Sequence, residues 1–361
     1  MRIGILGAGQ LGRMLALAGY PLGFEFVFLD PSEEACAVKL GTHMQVDYAN
    51  GVALRDFCSR IDVATYEFEN VPLSTAEFVA ARVPLRPGPA ALAASQDRLA
   101  EKKLFEELAI PLPRYVLVDT RAELSDALVQ LGLPAVLKTR TLGYDGKGQA
   151  VIKNSRDIEM AWARLAGRPL ILEAFVPFER EVSCIAARGL DKRIAFYPLI
   201  ENVHRSGILY SSQPRLADPL QTQAEGYVTR LLEKLEYIGV LAFEFFVVNG
   251  GLLANEIAPR VHNSGHWSIE GADCSQFENH LRAICDLPLG ATNLRSASMM
   301  LNCVGSEPKP GAVLRHAGVH LHRYGKQAKP HRKLGHITLT AQNTAALSAL
   351  RDKIEPLIPQ F

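Results

Sequence analysis

Hydrophobic and polar positions along the first 83 residues follow two alternating rhythms. RIGILG, FEFVFLD and DVATYEF are short apolar runs, the pattern of buried strands, while LGRMLALAGY and residues 53–59 carry apolar residues at helical spacing. Strands alternating with helices predict an open, mostly parallel α/β unit whose loops gather at the carboxyl ends of its strands. VPLRPGPAALAAS then brings three prolines and a glycine, which argue against regular structure and predict a domain boundary at residues 84–89. Beyond it, SQDRLAEKKLFEELAI reads as a helix capped by Ser95. YVLV, ELSDALVQLG, PAVLKT, a glycine-rich loop, QAVIK, a helix across residues 156–166 and PLILEAFV follow as a small αβ module. From Glu181 to Asp286 the pattern is strand-rich with two helices, and the tail holds the strands GVHLHRY and HITLTA before a last short helix. The expected fold is α/β and α+β. A dinucleotide-fold-like domain covers residues 1–94, a middle region covers 95–290 with the small module at about 114–176, and a β-rich C-terminal domain covers 291–361.

A chain of 361 residues is too long for one ordinary core, in line with two or three domains. Its 48% apolar and 21% charged residues exclude a disordered chain, and a net charge of +1 removes any bulk electrostatic case for nucleic acid or a membrane surface. The six cysteines lack CxxC or metal-like spacing and read as packed thiols of a reducing compartment. No eighteen apolar residues run together, and the N-terminal run is broken by glycines without a small-residue cleavage site. A cytoplasmic enzyme is expected.

Three stretches carry candidate chemistry. Gly7-x-Gly9-x-x-Gly12 lies between a strand and a helix, and Asp30 follows at the distance where a dinucleotide enzyme places its ribose-binding acid. Taken alone, the turn fits either NAD or a tight turn with close helix packing. In FEFFVVNGGLLANEIAPR, a turn at Asn249-Gly250-Gly251 pairs Val248 with Leu252, and counting back by twos sets Glu244 opposite Glu256 on one face. Two carboxylates at roughly 5 Å repel by about 3 kcal/mol at an effective dielectric near 20. Protonation, an arginine such as Arg260, or divalent cations would compensate, and two carboxylates beside substrate phosphates are a usual Mg²⁺ arrangement. Lys138 ends PAVLKT just before a loop with Gly143, Gly146 and Gly148, whose amides can close over polyphosphate; the spacing is not that of a P-loop.

The order of Lys138, GYDGKGQ, LEAFV, Glu181, Glu244 and Glu256, the last within NEIAPRVHNSGH, resembles that of ATP-grasp enzymes. More narrowly, the chain resembles the N5-carboxyaminoimidazole ribonucleotide synthetase family, the bicarbonate-using ligases of purine biosynthesis. The resemblance runs nearly end to end through GAGQLGRM, YEFENVP, QDRLAEKKLF, GYDGKGQ, EVS, NEIAPRVHNSGHW, HLHRYGK and HRKLGH. It implies ATP and Mg²⁺ as cofactors, 5-aminoimidazole ribonucleotide and bicarbonate as substrates, ATP-grasp domains in the middle region with the small module as a lid, and a homodimer.

The resemblance also assigns residues. Arg98 and Lys138 would touch ATP phosphates, and Gly143, Tyr144, Asp145, Gly146, Lys147, Gly148 and Gln149 would cover them. Glu173, Ala174, Phe175 and Val176 would line the adenine, Glu181 would hold the ribose hydroxyls, and His204 would lie near the nucleotide. Asn255 and Glu256 with Glu244 would hold Mg²⁺. Arg260, His262 and Asn263 would face bicarbonate and the carboxyphosphate formed from it. Gln10 would face the ribonucleotide, whose 5′-phosphate would go to Lys326, Arg332 and Lys333; Asp30 would then have no ribose to hold. Rival readings are a formate-dependent glycinamide ribonucleotide transformylase, an NAD-dependent dehydrogenase, and a nucleotide sensor without turnover. Eight of the ten histidines follow residue 260, but no carboxylate or cysteine stands at ligand spacing beside His320 and His322, which argues against zinc. Trp162 and Trp267 read as packing residues.

Overall fold

The computed structural model describes residues 1–143 and 148–359. Its first unit is a four-stranded parallel sheet with spatial order Thr42–Met44, Glu25–Leu29, Arg2–Leu6 and Val63–Tyr66. The chain reverses direction of winding between Arg2–Leu6 and Val63–Tyr66, and in open α/β sheets the crevice beyond such a pair of strand ends is where ligands bind. Gly4 on the central strand is tightly enclosed: a Cβ there would stand 2.4 Å from Ile61 and 2.6 Å from Phe57. The helix Gln10–Gly19 buries Leu11, Met14 and Leu15 in the same core as Phe277, Leu281 and Ile284 of the helix Gln276–Ile284, so apolar packing joins the first unit to the rest of the molecule.

The Pro/Gly stretch expected to lack regular structure instead starts a helix, Pro89–Gln96. Pro89 sits in the first helical turn, where its missing N–H costs nothing and its fixed φ favours the helix. Ser95 lies inside that helix and caps nothing. The following helix, Arg98–Glu107, is capped by Asp97, whose carboxylate accepts from the Leu99 N–H at 2.8 Å.

The small module is a four-stranded antiparallel sheet ordered Tyr115–Val118, Leu170–Ala174, Ala135–Thr139, Gln149–Ile152. Its helices Arg121–Leu131 and Ser155–Leu165 each begin with a capping box, from Thr120 with Glu123 and from Asn154 with Asp157. Their apolar faces cover one side of the sheet, with Trp162 packed at the edge of that core. On this sheet Val136 stands opposite Glu173, which makes Lys138 a diagonal neighbour of Glu173.

The remaining strands form one antiparallel sheet that begins with Gly251–Ala258, Gly239–Val248, Arg180–Arg188, Ile200–Arg205 and Ile208–Pro214. It continues through Ala297–Val304, Lys333–Ala341 and Val319–Arg323. The C-terminal strands therefore extend the central sheet, through Ser211 opposite Leu301 and Ser212 opposite Met300. The helix Gln221–Lys234 packs Ala224, Val228 and Leu231 against Val182, Phe243 and Phe245. Among the described residues, no helix is long and apolar enough to cross a membrane.

Candidate active site

A cleft of about 830 Å³ runs between the first sheet, the small module and the central sheet, with the C-terminal tail along one wall. All the described residues assigned by resemblance line it except Gly148. Gly148 sits at the loop's exit with φ of +73°, and a Cβ there would stand 2.6 Å from the Thr139 hydroxyl. Tyr144, Asp145, Gly146 and Lys147 lie outside the described residues.

At the end of the cleft under the small module, Glu173 takes Lys138 at 2.8 Å and Lys102 at 3.1 Å. Burial pushes the Glu173 carboxyl up, but Lys138, Lys102 and Arg98 together hold it at about 2. The same burial depresses Lys138, with Glu173 opposing it. The Glu173 side chain thus serves the lysines, while Ala174, Phe175 and Val176 continue along the wall. Lys102 comes from the face of the helix Arg98–Glu107 that also presents Arg98 and Glu101. Glu101 is buried, accepts from the Ile257 N–H at 2.7 Å, and is pushed up to about 8 by burial and then by Glu256. Further along, Glu181 meets His204 Nδ1 at 2.7 Å; burial works against charge on that histidine, but this hydrogen bond and Glu244 outweigh it and raise its pKa.

The acidic hairpin reaches its expected pairing by another route. Its turn is two residues, Asn249-Gly250, with φ of +49° and +71° as a type I′ turn requires, and Val248 stands opposite Gly251. A β-bulge between Glu244 and Phe245 then inserts one residue on the facing strand, and the two offsets cancel to set Glu244 opposite Glu256. The repulsion is relieved by a separate hydrogen-bonding partner for each acid. Arg98 pairs with Glu256 at 3.2 Å and His262 Nε2 with Glu244 at 3.1 Å. Burial would raise Glu244, but the His262 hydrogen bond, with His204 and Lys333, holds it at about 2. Arg260 is not the compensating group: it forms a two-bond pair with Glu69, which burial would raise and Arg260 holds at about 2. Asn263 is fixed by a reciprocal amide pair with the buried Asn302, at 3.1 and 2.7 Å.

At the other end of the cleft, Lys326 donates to the Gln10 side chain, joining the tail to the first glycine turn. Arg332 and Lys333 line the same region. The turn itself already holds a buried carboxyl group, whose pKa burial raises against the two amides that donate to it. Glu67, buried at the end of Val63–Tyr66, accepts from the Gly9 N–H and, at 2.6 Å, from the Gly12 N–H. A carboxyl group thus sits at the helix N-terminus where a dinucleotide would place its pyrophosphate, and a Cβ at Gly9 would strike it at 2.5 Å. Asp30 accepts from the Ala8 N–H at 2.9 Å and orders the turn from the other side. Both acids are engaged by backbone, which removes the physical basis for NAD.

Three of the histidines after residue 260 cluster: His322 lies over His336 at 4.4 Å, and His266 is 4.8 Å from His336. A carboxylate does stand beside them, Glu270 at 2.7 Å from His322 Nε2, supplied by a distant segment. Among the described residues, no group of three His, Cys, Asp or Glu is arranged to hold a metal. Trp267 is fully buried in the core.

Lys102, Glu101, Glu67, Glu69 and Asn302 are the site residues that sequence reasoning missed. A signal existed for the first two: charged residues at positions of QDRLAEKKLFEELAI that share one helix face. Glu67 and Glu69 stand in YEFENVP, but their partners Gly9, Gly12 and Arg260 lie far off in the chain.

Residues 1–96 match the ribonucleotide synthetase preATP-grasp domain, 103–277 the ATP-grasp domain, and 298–350 the C-terminal domain of phosphoribosylaminoimidazole carboxylase. The N5-carboxyaminoimidazole ribonucleotide synthase of Pseudomonas aeruginosa is 53% identical over 99% of both chains. That of Bacillus subtilis is 38% identical over 94% of this chain and 91% of its own. The solved synthetase from Thermus thermophilus has a TM-score of 0.94 at 50% identity and covers 99% of each chain. The Aspergillus clavatus enzyme in complex with ADP and 5-aminoimidazole ribonucleotide has a TM-score of 0.89 at 31% identity, covering 99% of this chain and 97% of its own. With the family's domains matched in order along the chain and relatives similar over nearly its whole length, this protein belongs to the N5-carboxyaminoimidazole ribonucleotide synthase family of ATP-grasp ligases.

Proposed function

We infer that the chain is an ATP-dependent carbon–nitrogen ligase that carboxylates 5-aminoimidazole ribonucleotide with bicarbonate in purine biosynthesis. The observation that carries this reading is one continuous cleft with cations at both ends and an acidic pair between them: Arg98 and Lys138 at one end, Lys326, Arg332 and Lys333 at the other. That spacing suits two phosphate-bearing substrates meeting over Glu244 and Glu256. A bicarbonate oxygen attacks the γ-phosphorus and ADP leaves. The exocyclic amine then attacks the carboxyl carbon of carboxyphosphate, phosphate leaves, and the amine nitrogen gives up one proton.

In this reading Arg98 and Lys138 bind the ATP phosphates, residues 143–149 cover them, and Glu173, Ala174, Phe175 and Val176 bound the adenine. Glu181 takes the ribose, with His204 beside it. Arg260, His262 and Asn263 hold bicarbonate, and Gln10, Lys326, Arg332 and Lys333 hold the ribonucleotide. The donor set fits Mg²⁺: Glu244 and Glu256 are opposed hard-oxygen ligands with Asn255 beside them, and His262 engages one oxygen of Glu244 and Arg98 one oxygen of Glu256. When bound, the cation would offset charge on the transferring phosphoryl group. The protein's own contribution is positional and electrostatic. The module at about 114–176 acts as a lid over the middle region 95–290, between the flanking domains 1–94 and 291–361, and keeps water from the acyl phosphate. A cytoplasmic homodimer is part of the same reading, and light scattering on the purified protein checks its pairing.

ADP release measured with and without each acceptor tests the function. Turnover is expected to require 5-aminoimidazole ribonucleotide and to incorporate labelled bicarbonate. Incorporation of labelled formate into glycinamide ribonucleotide instead, or ATP binding with no turnover on any acceptor, would overturn it.

A further inference from the structure

Beneath the cleft floor a row of polar side chains crosses four adjacent strands of the central sheet. Glu244 stands opposite Ser183, while Asn202 stands opposite Ser212 and lies diagonal to Ser183. Ser183, Ser212 and Ser264 are fully buried and Asn202 is nearly so. Buried polar groups of this kind must pair with one another, and the order in which they pair fixes every proton along the row.

The Ser212 hydroxyl donates to Asn202 Oδ1 at 2.8 Å, and Asn202 Nδ2 donates to Ser183 Oγ at 3.0 Å. Ser183 Oγ accepts from the amide, and every group in the row finds a partner when its one proton goes on to Ser264 Oγ, 2.8 Å away. In that order Ser264 gives its own proton to His262 Nδ1, also at 2.8 Å. An independent donor agrees: the Ser264 backbone N–H, which can only donate, points at the same Nδ1 at 3.3 Å, with His262 capping the short turn Asn263–Gly265. With two donors on Nδ1, the ring proton resides on Nε2, which faces Glu244 at 3.1 Å.

We propose that Asn202, Ser183 and Ser264 are positioning residues that hold the His262 proton on Nε2, so that the ring serves Glu244 as a hydrogen-bond donor and has no free lone pair to take a proton from a substrate. The donor secures one oxygen of Glu244 and leaves the second for a cation, the role that an outer partner plays for a metal-ligating carboxylate. It follows that the proton lost by the substrate amine is taken by another acceptor. The proposal rests on reading Glu244 as a metal ligand, and Glu244→Gln tests that reading separately: Mg²⁺-dependent turnover surviving in Glu244→Gln would defeat it whatever the tautomer of His262.

The tautomer is read directly from two-bond proton–nitrogen correlation spectra of ¹⁵N-histidine-labelled protein, with the His262 signals identified by their loss in His262→Gln. Wild-type protein is expected to show Nε2–H, and a ring protonated on Nδ1 overturns the proposal without any further variant. Asn202→Asp replaces the amide donor with an acceptor of the same shape. Ser183 then donates toward the new carboxylate, Ser264 donates to Ser183, and Ser264 Oγ accepts from Nδ1–H. His262 should gain Nδ1–H signal, and kcat should fall about 10- to 100-fold, the usual effect of losing an outer-shell partner. The KM for ATP should change much less. Ser264→Ala removes the hydroxyl that would accept from Nδ1–H but keeps the backbone donor, so the double variant Asn202→Asp, Ser264→Ala should regain Nε2–H and most of the lost kcat. Losses that simply add in the double variant, or an unchanged spectrum and rate in Asn202→Asp, would reduce the row to ordinary packing.

Discussion

Replacing Glu173 with glutamine would remove the one anion between two buried lysines. In the folded chain Lys138 and Lys102 approach it at 2.8 and 3.1 Å, and the side chains of Lys138, Lys102 and Glu173 are 10%, 2% and 5% exposed respectively. Burial alone would raise the Glu173 carboxyl, yet its cationic neighbours hold it at about 2 against an ordinary 4.5. That difference corresponds to about 3 kcal/mol of folding stability at neutral pH. Because the folded value is depressed, the contribution is complete above the unfolded value of 4.5 and is lost as pH falls from there toward 2. Glu173→Gln forfeits it at every pH and leaves two ammonium groups facing one another, for which the cost of breaking a buried pair is about 3–5 kcal/mol. The variant should therefore melt lower near neutral pH by on the order of 5–10 °C. If the same lysines receive ATP phosphates, nucleotide replaces the missing anion, and saturating ATP should raise the melting temperature of the variant by more than that of the wild type. Thermal melts with and without ATP, with an acid titration of both proteins, measure each quantity. A variant that melts with the wild type, or a wild type that loses no more stability than the variant between pH 4.5 and 2, would refute the reasoning.

Glu256→Gln should abolish Mg²⁺-dependent turnover, yet change apo stability by less than about 1 kcal/mol, because its partner pair with Arg98 is 44% exposed on the Glu256 side; differential scanning fluorimetry beside an activity assay checks both. Lys333→Ala should raise the KM for the ribonucleotide about ten- to a hundredfold and leave that for ATP nearly unchanged, since it removes a charge-assisted hydrogen bond to one substrate only; equal effects on both in steady-state kinetics would remove the tail from the site. Glu67→Ala should destabilise the first unit by about 1–3 kcal/mol by stranding the Gly9 and Gly12 N–H groups, as urea denaturation would report, and wild-type protein should leave NADH fluorescence unchanged because that anion position is filled.

The alternating α/β unit, the small module and the acidic pair were legible because each rests on local periodicity. The hairpin shows how such reasoning reaches a correct contact through incorrect parts: the turn is one residue shorter than read and the facing strand one residue longer, and neither Asn249-Gly250-Gly251 nor NEIA marks where a bulge falls. The Pro/Gly stretch misled for a different reason. Proline ends helices from within but opens them from the first turn, and only the position of Pro89 relative to the helix start distinguishes the two. Long-range partners were invisible: Glu67 with the glycine turn, Glu69 with Arg260, and Asn302 with Asn263 join segments that no local pattern connects. Glu101 and Lys102 are the instructive case. The helix Arg98–Glu107 buries them together with Leu104 and Phe105, so its inward face is part core and part cleft wall. A count that scores only apolar residues treats such positions as solvent-facing, whereas a charged residue in register with an apolar stripe must find a partner or a ligand, or give up its charge. Applied to this helix, that criterion picks out Glu101 and Lys102, the residues that meet the Ile257 N–H and Glu173.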